Sequence, residues 1–178
     1  MAKDLVFKLI VTNGGKEAYS ANLSYEAVAN VTSSFADNSE NNDYFILAAQ
    51  HPASTVRENL AYKDNLSSEV VELLSKDTSI GVLRNLVRSN AFKENATQAQ
   101  LEQLIKLDTE IAQSIAGNVD GYEQADVNKL ATLLAANDDP SVVASLAQNY
   151  STPKKILKTL TTHSDPYVAS EAKARLDD

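Results

Sequence analysis

Apolar positions along this chain recur in a frame that restarts every 26 to 30 residues. Counted from a polar residue able to cap a helix, three starts carry apolar side chains at +4 and +7, and two of them also at +8, the stripe of an amphipathic helix. Ser67 precedes Val71 and Leu74, Thr97 precedes Leu101, Leu104 and Ile105, and Asp126 precedes Leu130, Leu133 and Leu134. Thr152 precedes Ile156 and Leu160, with Pro153 at the expected first helical position, where its missing N–H costs nothing. Gln100 stands three residues after Thr97 and completes a capping-box pattern. Ser39 is a weaker start, followed by Ile46 and Leu47 but with Asp43 at +4. The five starts are spaced by 28, 30, 29 and 26 residues.

Between these helices lies a second apolar motif. Asp139-Pro140-Ser141-Val142-Val143 leads to Leu146-Ala147 and Asn149, and Asp108-Thr109-Glu110-Ile111 leads to Ile115-Ala116 and Asn118. Ile80-Gly81-Val82 leads to Leu86-Val87, Val56 to Leu60-Ala61, and Val168 to Ala172. Each unit therefore reads as a short helix, a polar turn and a longer capped helix. A period of this size marks stacked supersecondary units that cannot bury an apolar face alone. The expected fold is an all-α, right-handed α-solenoid of about four and a half units over residues 37–178.

The unit D-P-S-V-V-x-x-L-A-x-N-x-x-T-P-x-x-I-L-x-x-L, at 139–160, resembles the leucine-rich repeat variant, a member of the HEAT-like group of helical repeats. The resemblance is good over 138–170, fair over 51–76 and 108–137, and poor over 77–107. It implies alternating short and longer helices in a curved superhelix, the short one of 3₁₀ character. This chain departs from the pattern in its longer units, fewer prolines and extra residues at 92–96 and 119–124. It has no cysteine, so the cysteine-rich module of one founding member and its iron–sulfur role do not carry over. The family shares a scaffold and not a chemistry, so the resemblance implies fold more than function.

Residues 4–12 are β-branched and aromatic and run into Asn13-Gly14-Gly15, a hairpin signal because a type I′ turn needs two residues with positive φ. The returning strand is expected over 16–22, and Ser24 then caps a helix carrying Val28 and Val31 and ending near Phe35. Residues 1–36 are expected to form a ββα cap docked over the end of the solenoid. Addition of a partner strand to a free hairpin edge is the functional alternative.

Composition narrows the functional classes. The N-terminal apolar run is short and interrupted by Lys8, which argues against a signal peptide or a membrane span. With no cysteine for a disulfide framework, a cytoplasmic protein is expected. Of the net charge of −8, residues 108–140 alone carry −6, which disfavours direct contact with nucleic acid. The two histidines, His51 and His163, sit in turns four units apart, too distant for a shared metal. Asp120, Glu123 and Asp126 surround Gly121, but the glycine is at the wrong offset for a calcium loop and the terminal bidentate Glu is missing. This segment reads as a solvated insertion in which Tyr122 is an exposed contact residue. The Asn-x-Ser/Thr sequences at Asn22, Asn30, Asn65, Asn95 and Asn149 read as turn chemistry.

No catalytic, cofactor or metal set converges. The leading expectation is a non-enzymatic protein–protein interaction module using its helical-repeat surface, with Glu69, Glu72, Gln100, Gln103, Asp120, Tyr122, Glu123 and Lys129 as contacts to a protein partner. An acidic phage or mobile-element inhibitor that mimics nucleic acid is the alternative. It requires Asp108, Glu110, Asp120, Glu123, Asp126, Asp138 and Asp139 to share one face. A third reading, an enzyme like the helical-repeat DNA glycosylases, finds little support without tryptophan or a basic total charge.

Overall fold

The computed structural model describes residues 5–177. Two strands come first, β1 (Lys8–Asn13) and β2 (Lys16–Asn22), paired antiparallel. Twelve helices follow among the described residues, most of them two turns long. The chain divides into two compact units, Met1–Ala91 and Phe92–Asp178.

The first unit holds the hairpin, α1 (Tyr25–Ser34), α2 (Asn42–Ala49), α3 (Ser54–Ala61), α4 (Ser68–Ser75) and α5 (Ile80–Leu86). Here α3 packs between α1 and α5, while α2 packs on α4 and both touch the α3 and α5 row. The helix α6 (Asn90–Asn95) straddles the division. In the second unit lie α7 (Gln98–Leu104), α8 (Thr109–Ala116), α9 (Val127–Ala135), α10 (Pro140–Gln148), α11 (Lys154–Leu160) and α12 (Pro166–Asp177). There α10 packs between α8 and α12, and α9 between α7 and α11. Helices of like rank are therefore neighbours inside each unit.

The apolar stripe explains this packing. Val70, Val71 and Leu74 of α4, Leu130 and Leu134 of α9, and Val142 and Leu146 of α10 are fully buried. Burial of each such side chain stabilises by roughly 1.5–3 kcal/mol. Local capping starts the helices where the pattern places them. The side chains of Ser24, Ser67, Asp108, Asp126 and Asp139 each accept an N–H from their helix's first turn. Thr97 and Gln100 form the full reciprocal capping box.

Three expectations are corrected. Ser39 does not cap a helix: it opens a 3₁₀ turn, Ser39–Asn41, and α2 starts only at Asn42. That delay shifts the buried face to Phe45, Ala48 and Ala49 and leaves Leu47 exposed. Thr152 is not a cap either. It is buried, and its hydroxyl donates to Leu146 O at 2.5 Å, serving the C-terminal end of α10, while Pro153 takes the cap position of α11. The alternation of short and longer helices is also absent. The helices α3 and α4 have 8 residues each, α8 and α9 have 8 and 9, and α10 and α11 have 9 and 7.

The hairpin turn is built on Gly14 and Gly15, with φ of +57° and +77°, the left-handed values that glycine adopts without strain. The strands do not lie down on the helices. Every residue of β1 is exposed, and β2 is exposed except at Ala21, which is half-buried. Attachment is at the base, where Phe7 meets Tyr44 at 5.6 Å and His51 at 5.5 Å between ring centroids.

Candidate interaction surface

Of the eight contact residues expected from sequence, Glu69 and Glu72 belong to the first unit and the other six to the second. Glu69 and Glu72 are exposed on α4, where Glu72 pairs with Lys76 across one helical turn at 2.5 Å. Gln100 is half-buried and committed to the capping box, and Gln103 is exposed on the same helix. Lys129 is exposed on α9, and Glu123 is exposed in the loop before it.

Tyr122 is corrected outright. Its side chain is 1% exposed, against the expected contact residue on a loop. Its ring meets Phe92 edge-on at 6.1 Å, and burial pushes its hydroxyl pKa well above the usual phenol value. The two stretches that depart from the repeat pattern, 92–96 and 119–124, therefore pack against each other. Glu123 N–H donates to Lys93 O at 3.1 Å, and the Gln124 side chain donates to Glu94 O at 3.0 Å. What reads in sequence as a solvated insertion is a plug that fills the space beside Phe92.

Asp120 does reach a surface feature. Its carboxylate accepts a hydrogen bond from Ser151 Oγ at 2.7 Å, and both line a cleft of about 470 Å³ with Gln113, Gln148, Asn149 and Tyr150. The turn that forms this cleft is held by Asn149, whose amide donates to Gly117 O at 2.8 Å and whose Oδ1 accepts the Ser151 N–H at 2.7 Å. Tyr150 at the rim is 84% exposed. It is nonetheless held in place, because the Arg175 guanidinium lies over its ring at 3.6 Å. Beside it, Gln148 donates to the hydroxyl of Tyr167, itself 57% exposed, at 2.7 Å. Sequence reasoning missed Tyr150, Tyr167 and Arg175. The available signal was a tyrosine in a capping turn, off the apolar stripe, where burial does not account for it.

Four of the acidic residues of 108–140 divide between two clefts. Asp108, Asp138 and Asp139 line a cleft of about 630 Å³ at the N-terminal end of α8, whereas Asp120 belongs to the cleft past its C-terminal end. Eight helical residues separate those ends by about 12 Å. Asp108, Asp126 and Asp139 are moreover occupied as N-caps. Hydrogen bonds from the Ser141 side chain and backbone hold the Asp139 carboxyl below the usual carboxylate range.

His51 and His163 share one local role. Each ring Nδ1 accepts the backbone N–H two residues ahead, from Ala53 and from Asp165, both at 3.1 Å. Asp77 and Asn137 do the same with a side-chain oxygen, toward Ser79 and Asp139. These residues are turn-formers at one position of the repeat. Among the described residues no cluster of three or more His, Cys, Asp or Glu is arranged to hold a metal ion. No helix of the described residues is long and apolar enough to cross a membrane.

No family model, no curated protein and no solved structure matches this chain.

Proposed function

We propose that this chain is a non-enzymatic protein-binding module of the leucine-rich-repeat-variant, HEAT-like type. In this reading its helical units stack as a right-handed α-solenoid and bind a protein partner through their exposed turns. The observation that carries the reading is Tyr150, highly exposed yet stacked against Arg175 beside a polar cleft. Tyrosine and arginine are enriched among residues that dominate protein interfaces, and a pre-ordered aromatic loses little entropy on binding. Asp120, Gln113 and Gln148 supply hydrogen-bonding groups around that anchor. Tyr167 extends the aromatic surface on α12.

The test is affinity capture with the wild-type chain and with a Tyr150→Ala/Tyr167→Ala variant whose far-ultraviolet circular dichroism is unchanged. The expected result is a protein captured by the wild type and lost by the variant. Equal capture by both overturns the assignment of the surface. Turnover of a small molecule by the purified chain, with no protein captured, overturns the reading as a whole.

A further inference from the structure

Among the described residues the hairpin is a two-stranded sheet with both edges open and both faces exposed, an arrangement that is marginal in water without further strands or packing. One face carries Leu9, Val11, Tyr19 and Ala21, cross-strand neighbours in the register Leu9↔Ala21 and Val11↔Tyr19. Leu9, Val11 and Tyr19 are 46–58% exposed. The two edges differ. On β2 the register skips Ala18 between Tyr19 and Glu17, a bulge flanked by the charges of Lys16 and Glu17. A bulge and edge charges are devices that block further strand pairing. The β1 edge is unbroken over its six residues and carries a single charge, Lys8.

The hydrogen bonding of β1 sets which groups face outward. Leu23 N–H donates to Phe7 O, so Phe7, Leu9, Val11 and Asn13 turn their backbone groups toward β2. Lys8, Ile10 and Thr12 then offer theirs to the open side. This edge is self-complementary. An antiparallel copy placed about a two-fold axis at Ile10 pairs Ile10 with Ile10, Leu9 with Val11 and Lys8 with Thr12. No like charges stand opposite each other, and each outward residue exchanges both of its backbone bonds.

We propose that β1 pairs with β1 of a second copy of this chain, making a symmetric dimer with a continuous four-stranded sheet. The like charge that opposes a second copy is small at this place. Residues 5–24 carry Lys8 and Lys16 against Glu17, net +1, whereas the whole chain carries −8. The surplus negative charge that opposes self-association therefore lies outside the hairpin. The sheet formed has four strands and one apolar face, which meets the requirement for stability that a lone hairpin fails. The pairing leaves the helical surfaces free, so the dimer presents two of each and raises avidity for any repetitive partner. It stands independently of the reading of Tyr150.

The test is the mass of the full chain in solution by light scattering and sedimentation across a concentration series. The expected result is a concentration-dependent approach to twice the chain mass of 19.3 kDa. Ile10→Pro removes an outward N–H that β2 does not use, and is expected to raise the dimer dissociation constant by about tenfold or more. Ile10→Lys, which sets two lysines face to face on the axis, is expected to act in the same direction. Ser20→Pro blocks the β2 edge and is expected to leave the dimer intact. A wild-type chain that stays monomeric to several hundred micromolar overturns the proposal. So does a dimer that survives both Ile10 substitutions, or one that Ser20→Pro dissolves while Ile10→Pro spares it.

Discussion

The tiles at 51–76 and 137–160 share a backbone frame and close their seams with different chemistry. Val56, Leu60 and Ala61 of the first match Val142, Leu146 and Ala147 of the second, all fully buried. At the next position the first tile has Arg57, 3% exposed, where the second has Val143. Arg57 donates to both carboxylate oxygens of Asp77, at 2.5 and 3.0 Å, and to the carbonyls of His51 and Pro52. Lys63 and Asn149 also correspond. Each reaches back to an earlier carbonyl, Lys63 to Phe35 O at 2.7 Å and Asn149 to Gly117 O at 2.8 Å. A repeat frame thus fixes where a tie is needed and leaves open whether charge, amide or methyl groups supply it. A charged tie is expensive to break once buried, because the surviving partner stays uncompensated.

Asp77→Ala breaks the charged seam and leaves the Arg57 guanidinium buried without its carboxylate. A loss of about 3–5 kcal/mol is expected, read by urea unfolding and by hydrogen exchange that rises in α3 and α5 first. The double change Arg57→Leu/Asp77→Asn is expected to recover most of it.

The reverse transplant asks whether the frame alone makes the seam. Val143→Arg buries a charge with no carboxylate opposite and is expected to cost about 3 kcal/mol. His163 holds the position that corresponds to Asp77, and adding His163→Asp is expected to restore part of that loss. A pair that restores nothing shows that the seam of the first tile depends on more than register.

Thr97→Ala removes the capping box of α7 and is expected to cost about 1 kcal/mol, seen as faster exchange in the first turn of that helix.

The turn position separates the tiles by pH. His51 is 1% exposed between Phe7 and Tyr25, and burial, with the Arg57 charge in the same direction, lowers its pKa below 6.5. A depressed histidine pKa means that the unfolded chain binds more protons, so its contribution is complete above pH 6.5 and is lost as pH falls through the folded value. Asn137 does the same structural work without titrating. His51→Asn is therefore expected to flatten the decline of stability below neutral pH. An unchanged slope removes His51 from the account.

The smallest effect is expected for Glu72→Gln, which breaks the exposed pair with Lys76. A change below about 0.5 kcal/mol by urea titration is the expected outcome.

How much could be read in advance follows the reach of each interaction. Ser24, Ser67, Thr97 and Asp126 are visible as helix starts because a cap bonds to a backbone group two or three residues away. The strand at Lys16–Asn22 follows from the two glycines before it. Tyr122 was misread because its partner, Phe92, is thirty residues earlier and lies in a stretch that breaks the pattern. Thr152 was misread because α11 starts one residue later than the pattern places it, with Pro153 at the cap position, and the Thr152 hydroxyl turns back to donate to Leu146 O. Of the candidate surface, Asp120 was legible as an exposed acid. Tyr150 and Arg175 were not, since their stacking joins a turn to a helix that starts sixteen residues later.

By itself, then, the amino-acid sequence determined the helical periodicity, most helix starts and the hairpin, because these rest on contacts within one turn or across one tight loop. The tertiary structure alone decided the ion pair between Arg57 and Asp77, the burial of Tyr122 and the exposure of both hairpin faces. Each depends on whether groups twenty or more residues apart in the chain are brought together or kept apart, and packing settles that where local propensity has no say.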